Sequence, residues 1–166
     1  MLLNNVFLQM ELLLARKDTL NFKSQWDEKL KLFAQPGLDR YLIYMDLYLA
    51  RYYKEIGDKE QALAIISKVS ELAKQTGDMK FLTDAQNTLA QFYLKDNPDK
   101  SLEILNYIEQ FNPNPNPYLE IKAKALNALG RNIEALSLMI EAKSAYNEAW
   151  KPENQALLEQ LKTVVN

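Results

Sequence analysis

The chain has 166 residues, 48% of them hydrophobic and 25% charged, proportions that fit one globular domain with a real core. Its 20 Lys and Arg stand against 22 Asp and Glu, so there is no basic excess to neutralise phosphates and a nucleic-acid partner is not expected. The absence of any His or Cys excludes disulfides, thiolate nucleophiles, Cys/His zinc sites and imidazole acid–base catalysis.

Apolar residues recur at three- and four-residue spacing along most of the chain, which predicts an all-α fold. The first helix is expected over 3–17. Its opening, MLLNNVFLQMELLLARK, is apolar, but it lacks a basic leader and Glu11 interrupts it, so it does not read as a signal peptide. No apolar run approaches the roughly 18 residues of a membrane span. A soluble, cytoplasmic chain is therefore expected. The second helix, 20–34, ends at Gln35-Pro36-Gly37, residues that disfavour continuation. Gly57-Asp58 closes a third helix over 38–56 and caps a fourth over 59–76. A fifth follows over 79–95. Asn97-Pro98 then supplies a cap and a first-turn Pro for a sixth over 98–111. The run Asn112-Pro113-Asn114-Pro115-Asn116-Pro117 reads as a short stiff connector rather than a proline-rich ligand, with Pro117 opening the seventh helix, 117–129. Gly130 ends that helix. An eighth is expected over 132–148, and Pro152 opens a ninth over 152–164.

The helices repeat in sequence. LLARKD at 13–18, YLARYY at 48–53, TLAQFY at 88–93 and IKAKAL at 121–126 align on Ala15, Ala50, Ala90 and Ala123, roughly 33 to 40 residues apart. The helices that follow align on Ala62, Ser101 and Ala135. Small residues at such places let two helices approach closely.

On these residues the chain resembles the tetratricopeptide repeat family, whose unit of about 34 residues places small residues where its two helices meet, an aromatic late in the first helix and Gly at the turn. The stretch from Tyr44 to Gly77 shows Leu49, Ala50, Tyr53, Gly57, Asp58 and Ala62 at the family's spacing. Ala123, Gly130, Ala135 and Ala142 match in a later unit, and Leu89, Ala90, Phe92, Tyr93 and Ser101 in the middle one. Thr76-Gly77-Asp78 is similar to the ending of longer repeats in bacterial signalling regulators. The resemblance implies one domain over 1–166, a right-handed α-solenoid of stacked antiparallel helix pairs. Its units cover roughly 4–36, 38–77, 79–113 and 117–148, and a capping helix covers 152–164. It implies a protein- or peptide-binding scaffold, a regulatory or adaptor part of a bacterial signalling or assembly system. The alternative is a sensor domain that binds a small ligand or signalling peptide and controls an attached effector.

In this family the partner lies along the first helix of each pair. The groove positions so implied are Tyr44, Leu47, Arg51, Lys54 and Glu55, then Asp84, Asn87, Gln91 and Lys95, then Glu120, Lys124 and Asn127. Of these, Tyr44, Arg51, Lys54, Asn87, Gln91, Lys95, Lys124 and Asn127 are the candidate binding residues. Arg51 and Lys124 would favour an acidic or C-terminal carboxylate group. The chaperone-tail clamp of some members is not expected, because its positions here are Leu47, Arg51, Thr88, Pro117 and Ile121, and Arg51 alone has suitable chemistry.

Tyr41, Tyr44, Tyr48 and Tyr52 share one stripe of the third helix and are expected to pack against the preceding pair rather than to form an interface. Glu55, Asp58 and Glu60 cluster at a turn, where Asp58 and Glu60 serve a helix start rather than acid–base chemistry. No enzyme activity, cofactor or metal is expected. The ninth helix is expected to bury Ala156, Leu157, Leu161 and Val164 and to leave Glu153, Glu159, Gln160 and Lys162 wet. The first helix spreads Leu2, Leu3, Val6, Phe7, Met10, Leu13 and Leu14 widely, so this end is expected to meet further repeats or a second copy, with Phe7 and Met10 in a homodimer interface.

Overall fold

A computed structural model of the chain describes residues 2–33, 39–111, 118–146 and 151–165. Among the described residues there are nine α-helices and no strand: α1 (Leu2–Ala15), α2 (Thr19–Phe33), α3 (Asp39–Glu55), α4 (Lys59–Thr76), α5 (Met79–Tyr93), α6 (Pro98–Glu109), α7 (Leu119–Ala128), α8 (Asn132–Tyr146) and α9 (Pro152–Val165). Each coincides with a segment expected from the apolar period to within a few residues. The Gln35-Pro36-Gly37 break and the connector from Asn112 to Pro117 lie outside the described residues. None of these helices is long and apolar enough to cross a membrane.

The turns share one chemistry. Gly57, Gly77 and Gly130 take left-handed conformations at φ +85°, +67° and +74°, where an L side chain is strained. The next residue then donates its N–H back into the helix: Asp58 to the Tyr53 carbonyl at 2.9 Å, Asp78 to Ala73 at 3.0 Å and Arg131 to Leu126 at 2.9 Å. The α1–α2 turn repeats this with a non-glycine, Lys17 at φ +55°, and Asp18 N–H to the Leu13 carbonyl at 2.9 Å. Asp18, Asp58 and Asp78 each cap the following helix by accepting the N–H three residues on, from Asn21, Gln61 and Phe81 at 3.1–3.2 Å. Asn97 does the same for α6, taking the Lys100 N–H at 3.0 Å, with Pro98 at the first helical position. The Asp58 carboxylate is thus a cap, as its place in the sequence implies.

The contacts divide the chain within α5 into two compact units, 1–88 and 89–166. In the first unit, helices adjacent in sequence pack together, and α1 also packs on α3 across the intervening α2. Val6, Met10 and Leu14 of α1 meet Phe22, Trp26 and Phe33 of α2 and Met45 and Leu49 of α3 in one core. The tyrosine stripe lies against it. Phe7 stacks with Phe33, Tyr41 and Tyr48 at centroid distances of 5.8–6.2 Å and meets Tyr44 edge-on at 5.6 Å. Tyr52 stacks on Phe22 at 5.1 Å. Such pairs contribute about 0.5–1.5 kcal/mol beyond area burial, so the stripe is packing, as expected.

This packing corrects the reading of α1. Met10 is fully buried and Phe7 sits inside the aromatic cluster, so neither forms an outer interface. The apolar side chains that α1 does expose are Leu8 and Leu12, and α2 exposes Leu20.

In the second unit α6, α7, α8 and α9 pack in chain order. Leu102, Ala123, Leu126, Ala135, Met139, Leu158 and Leu161 make one core; Ala90, Ile104, Leu105, Ile108, Tyr118 and Ile121 make another. The buried face of α9 is Leu158 and Leu161, whereas Ala156 and Val164 are exposed, a shift of phase from the expected face. Glu153, Glu159, Gln160 and Lys162 are exposed, as expected.

The repeated small residues fall where two helices meet. Ala50, Ala62, Ala90, Ser101, Ala123, Ala135 and Ala142 all have 0% exposure. The middle unit joins its two marker positions directly, the buried Ser101 hydroxyl donating to the Ala90 carbonyl at 2.8 Å. Ala15 is the exception and is exposed.

Candidate functional site

Two of the helices expected to carry the site, α3 and the first part of α5, meet in the first unit, and α1 packs on α3. Tyr44 of α3 lies 4.5 Å from Phe81 of α5, and Leu47 packs with Ala85. Leu47 is interior. The Tyr44 ring is held between Phe7 and Phe81, with the Lys80 ammonium 5.8 Å from its centroid.

Arg51 is engaged within the chain. Its guanidinium grips Glu11 of α1 through two hydrogen bonds, 2.6 and 2.8 Å, and lies 5.5 Å from the Tyr48 ring. Burial works against the charged guanidinium, but the hydrogen bonds and charge of Glu11 outweigh it and hold its pKa above the ordinary arginine value. Burial, then the charge of Glu11, push the pKa of the Tyr48 phenol up. Lys54 and Glu55 are exposed at the end of α3, and Lys17 approaches Glu55 at 3.9 Å.

Asp84, one turn before Thr88 on α5, is in the opposite condition. It is half-buried, and burial raises its pKa; the Lys80 charge opposes that shift and Asp78 adds to it. Among the described residues no hydrogen bond or ion pair reaches its carboxylate. Its backbone carbonyl, not its carboxylate, accepts the Thr88 hydroxyl at 2.9 Å. Asn87, three residues on, has its side-chain oxygen shut away from solvent with no donor among the described residues.

In the second unit, Gln91 and Lys95 are exposed, Gln91 on α5 and Lys95 in the turn after it. Lys124 is paired with Glu120 at 2.6 Å. Burial alone would push the Glu120 carboxyl up. Hydrogen bonds from Lys124 and from Asn154 of α9, with the charges of Lys124 and Lys151, outweigh it and hold the pKa below the usual carboxylate range. Asn127 is half-buried on the last turn of α7.

These geometries correct the electrostatic expectation. The two cations expected to hold a partner's carboxylate, Arg51 and Lys124, each hold a carboxylate of their own chain. What sequence reasoning missed is the state of α5: a half-buried Asp84 carboxylate and an enclosed Asn87 amide oxygen, neither given a donor among the described residues. A second feature escaped it as well. An open cleft of about 330 Å³ lies over Leu102, Leu126 and Leu138, between the second helices α6 and α8. Lys122, which pairs with Glu109 at 2.6 Å, and Arg131, which pairs with Glu134 at 2.6 Å, stand at its edge. The α8 side chains that line it are Glu134, Ser137 and Leu138, a mixed polar and apolar set that no sequence pattern singles out.

The chain matches no protein-family model, no curated protein and no solved structure.

Proposed function

We propose that the chain is a protein- or peptide-binding scaffold, a non-catalytic regulatory or adaptor domain of the tetratricopeptide type that holds its partner on the face of its first helices. The observation that carries this reading is the recurrence of fully buried small residues, Ala50, Ala62, Ala90, Ser101, Ala123 and Ala135, with left-handed glycine turns at Gly57, Gly77 and Gly130. It supports a repeat architecture, which presents extended surfaces for partners. The lack of His and Cys narrows any catalysis to carboxylates, amines and hydroxyls.

Site-specific photo-crosslinking in the native cell tests the reading. A photoreactive residue is placed at Lys54, Lys80 or Asn127 on first helices, and at Lys68 or Glu141 on second helices; apart from the half-buried Asn127, these positions are exposed. One partner captured reproducibly from the first-helix positions is the expected result. Capture from Lys68 and Glu141 alone would place the binding face on the other side of the helix pairs.

A further inference from the structure

We propose that the cleft between α6 and α8 is a second binding site, which takes a leucine-sized aliphatic side chain of a partner segment and holds the neighbouring backbone amides between Asn106 and Ser137. The cleft opens between second helices of the second unit, so this inference goes beyond the first-helix reading and does not depend on it.

The floor of the cleft is apolar. Leu102 of α6, Leu126 of α7 and Leu138 of α8 line it, the first two buried and the third half-buried. Its volume of about 330 Å³ lies at the small end of ligand pockets, which run from roughly 300 to 1,000 Å³. That suits one aliphatic side chain with the backbone beside it, not a whole helix. Two neutral polar side chains stand free on its walls. The Asn106 amide on α6 and the Ser137 hydroxyl on α8 are both exposed, and neither side chain takes part in a hydrogen bond among the described residues. The charges at its edge cancel. Lys122 is matched by Glu109 at 2.6 Å, and the Arg131 fork by both oxygens of Glu134 at 2.6 and 2.7 Å. The Arg131 hydrogen bonds hold the Glu134 carboxyl below the usual carboxylate range against an opposing burial effect, and the Arg131 and Lys122 charges add to them.

A charged occupant fits this cleft poorly. An anion would have to draw Arg131 or Lys122 from its own carboxylate, and a cation would have to draw Glu134 from Arg131. Either would also stand over the three leucines, where an unpaired charge is costly. A neutral peptide unit fits on each count. The Asn106 amide and the Ser137 hydroxyl can each donate and accept, so a carbonyl and an N–H of one segment both find partners. A leucine side chain next to that unit takes the apolar floor out of contact with water. Both polar groups face solvent, unlike the enclosed Asn87 oxygen, so a ligand reaches them without opening the core.

The probe is N-acetyl-leucinamide, a leucine flanked by two neutral amides, titrated into the full chain and followed through side-chain methyl and amide resonances. Saturable shifts are expected at the methyls of Leu102, Leu126 and Leu138 and at the Asn106 amide, with a dissociation constant on the order of millimolar for a ligand this small. N-acetyl-alaninamide, which has no side chain to reach the floor, should bind about tenfold more weakly. Asn106→Ala should weaken the leucine probe about fivefold, the loss of one hydrogen bond. Ser137→Trp, which fills the mouth from an exposed position, should abolish binding, and melting curves check that both variants keep the fold. Added salt should leave the affinity unchanged, and N-acetyl-leucine, which carries a carboxylate in place of the terminal amide, should bind no more tightly. Tighter, salt-sensitive binding of that acid overturns the neutral assignment. Equal binding of the alanine and leucine probes, affinity indifferent to both variants, or the absence of saturable shifts at the three leucines overturns the site. Each of these outcomes leaves the photo-crosslinking test of the first helices untouched.

Discussion

Replacing Ala62 with leucine tests the helix-pair architecture at its narrowest point. Ala62 has 0% exposure and lies in the first turn of α4, just after the Asp58 cap and the left-handed Gly57 that fold α4 back along α3. A leucine there adds three carbon atoms at a fully buried position. Overpacking of this kind costs about 1–3 kcal/mol, and in a chain of this length each kcal/mol lowers the melting temperature by roughly 2–4 °C. A fall of roughly 2–12 °C is therefore expected by thermal denaturation followed by circular dichroism. Ser101→Leu and Ala135→Leu should fall in the same range, Ser101→Leu at its upper end because it also removes the hydroxyl bonded to the Ala90 carbonyl. That carbonyl still accepts the Leu94 N–H at 3.0 Å, so the added loss is modest. Ala15→Leu is the control. Ala15 aligns with the markers in sequence but is exposed, and its substitution should change stability by no more than about 0.5 kcal/mol. Equal effects at Ala15 and Ala62, or none at Ala62, would refute the argument that the small residues are close-approach points.

Other expectations follow from single features. Lys17→Gly should stabilise the chain by about 0.5–1 kcal/mol in urea denaturation, the relieved left-handed strain exceeding the entropy glycine adds to the unfolded state; a destabilised variant would contradict the strain. Burial raises the folded-state pKa of Asp84, so the native state binds the extra proton and stability falls as pH rises from the ordinary carboxylate value through the raised one. Asp84→Asn should therefore be more stable than the parent at neutral pH, with the gain shrinking in acid. Glu120 has the opposite sign: its folded pKa is depressed, so its contribution is present above the unfolded value and lost as pH falls through the folded one. Glu120→Gln should lose stability at neutral pH and converge on the parent in acid. Phe7→Glu with Met10→Glu should unfold the first unit rather than split a dimer, because a carboxylate at Met10 is buried unpaired. If α1 self-associates, the exposed Leu8 and Leu12 carry the contact, and their glutamate variants should sediment as monomers with little loss of stability.

The helices and their ends were legible because their causes are local. Asn97-Pro98, Gly57-Asp58 and Gly130 act within one turn of where they stand. Lys17 shows the limit: it holds the same turn position as Gly57 and Gly77, yet nothing in its chemistry announces a left-handed backbone, and only its alignment beside Asp18 marks it. The inward face of α1 was not legible because leucines occur all around it, so the period does not choose between Met10 and Leu8. The phase of α9 failed similarly, with Leu157 and Leu158 adjacent and equally apolar. At the candidate site, the chain's own pairings were not legible. Arg51 and Glu11 are 40 residues apart, and their pairing depends on α1 lying on α3, which no local pattern encodes. The raised pKa of Asp84 is a property of everything packed around it.

The most direct test of the central claim is the amide hydrogen-exchange footprint of the chain with the partner captured by photo-crosslinking. Slowed exchange concentrated on α3, α5 and α7 is the predicted result. Protection confined to α4, α6 or α8 would contradict a binding face on the first helices.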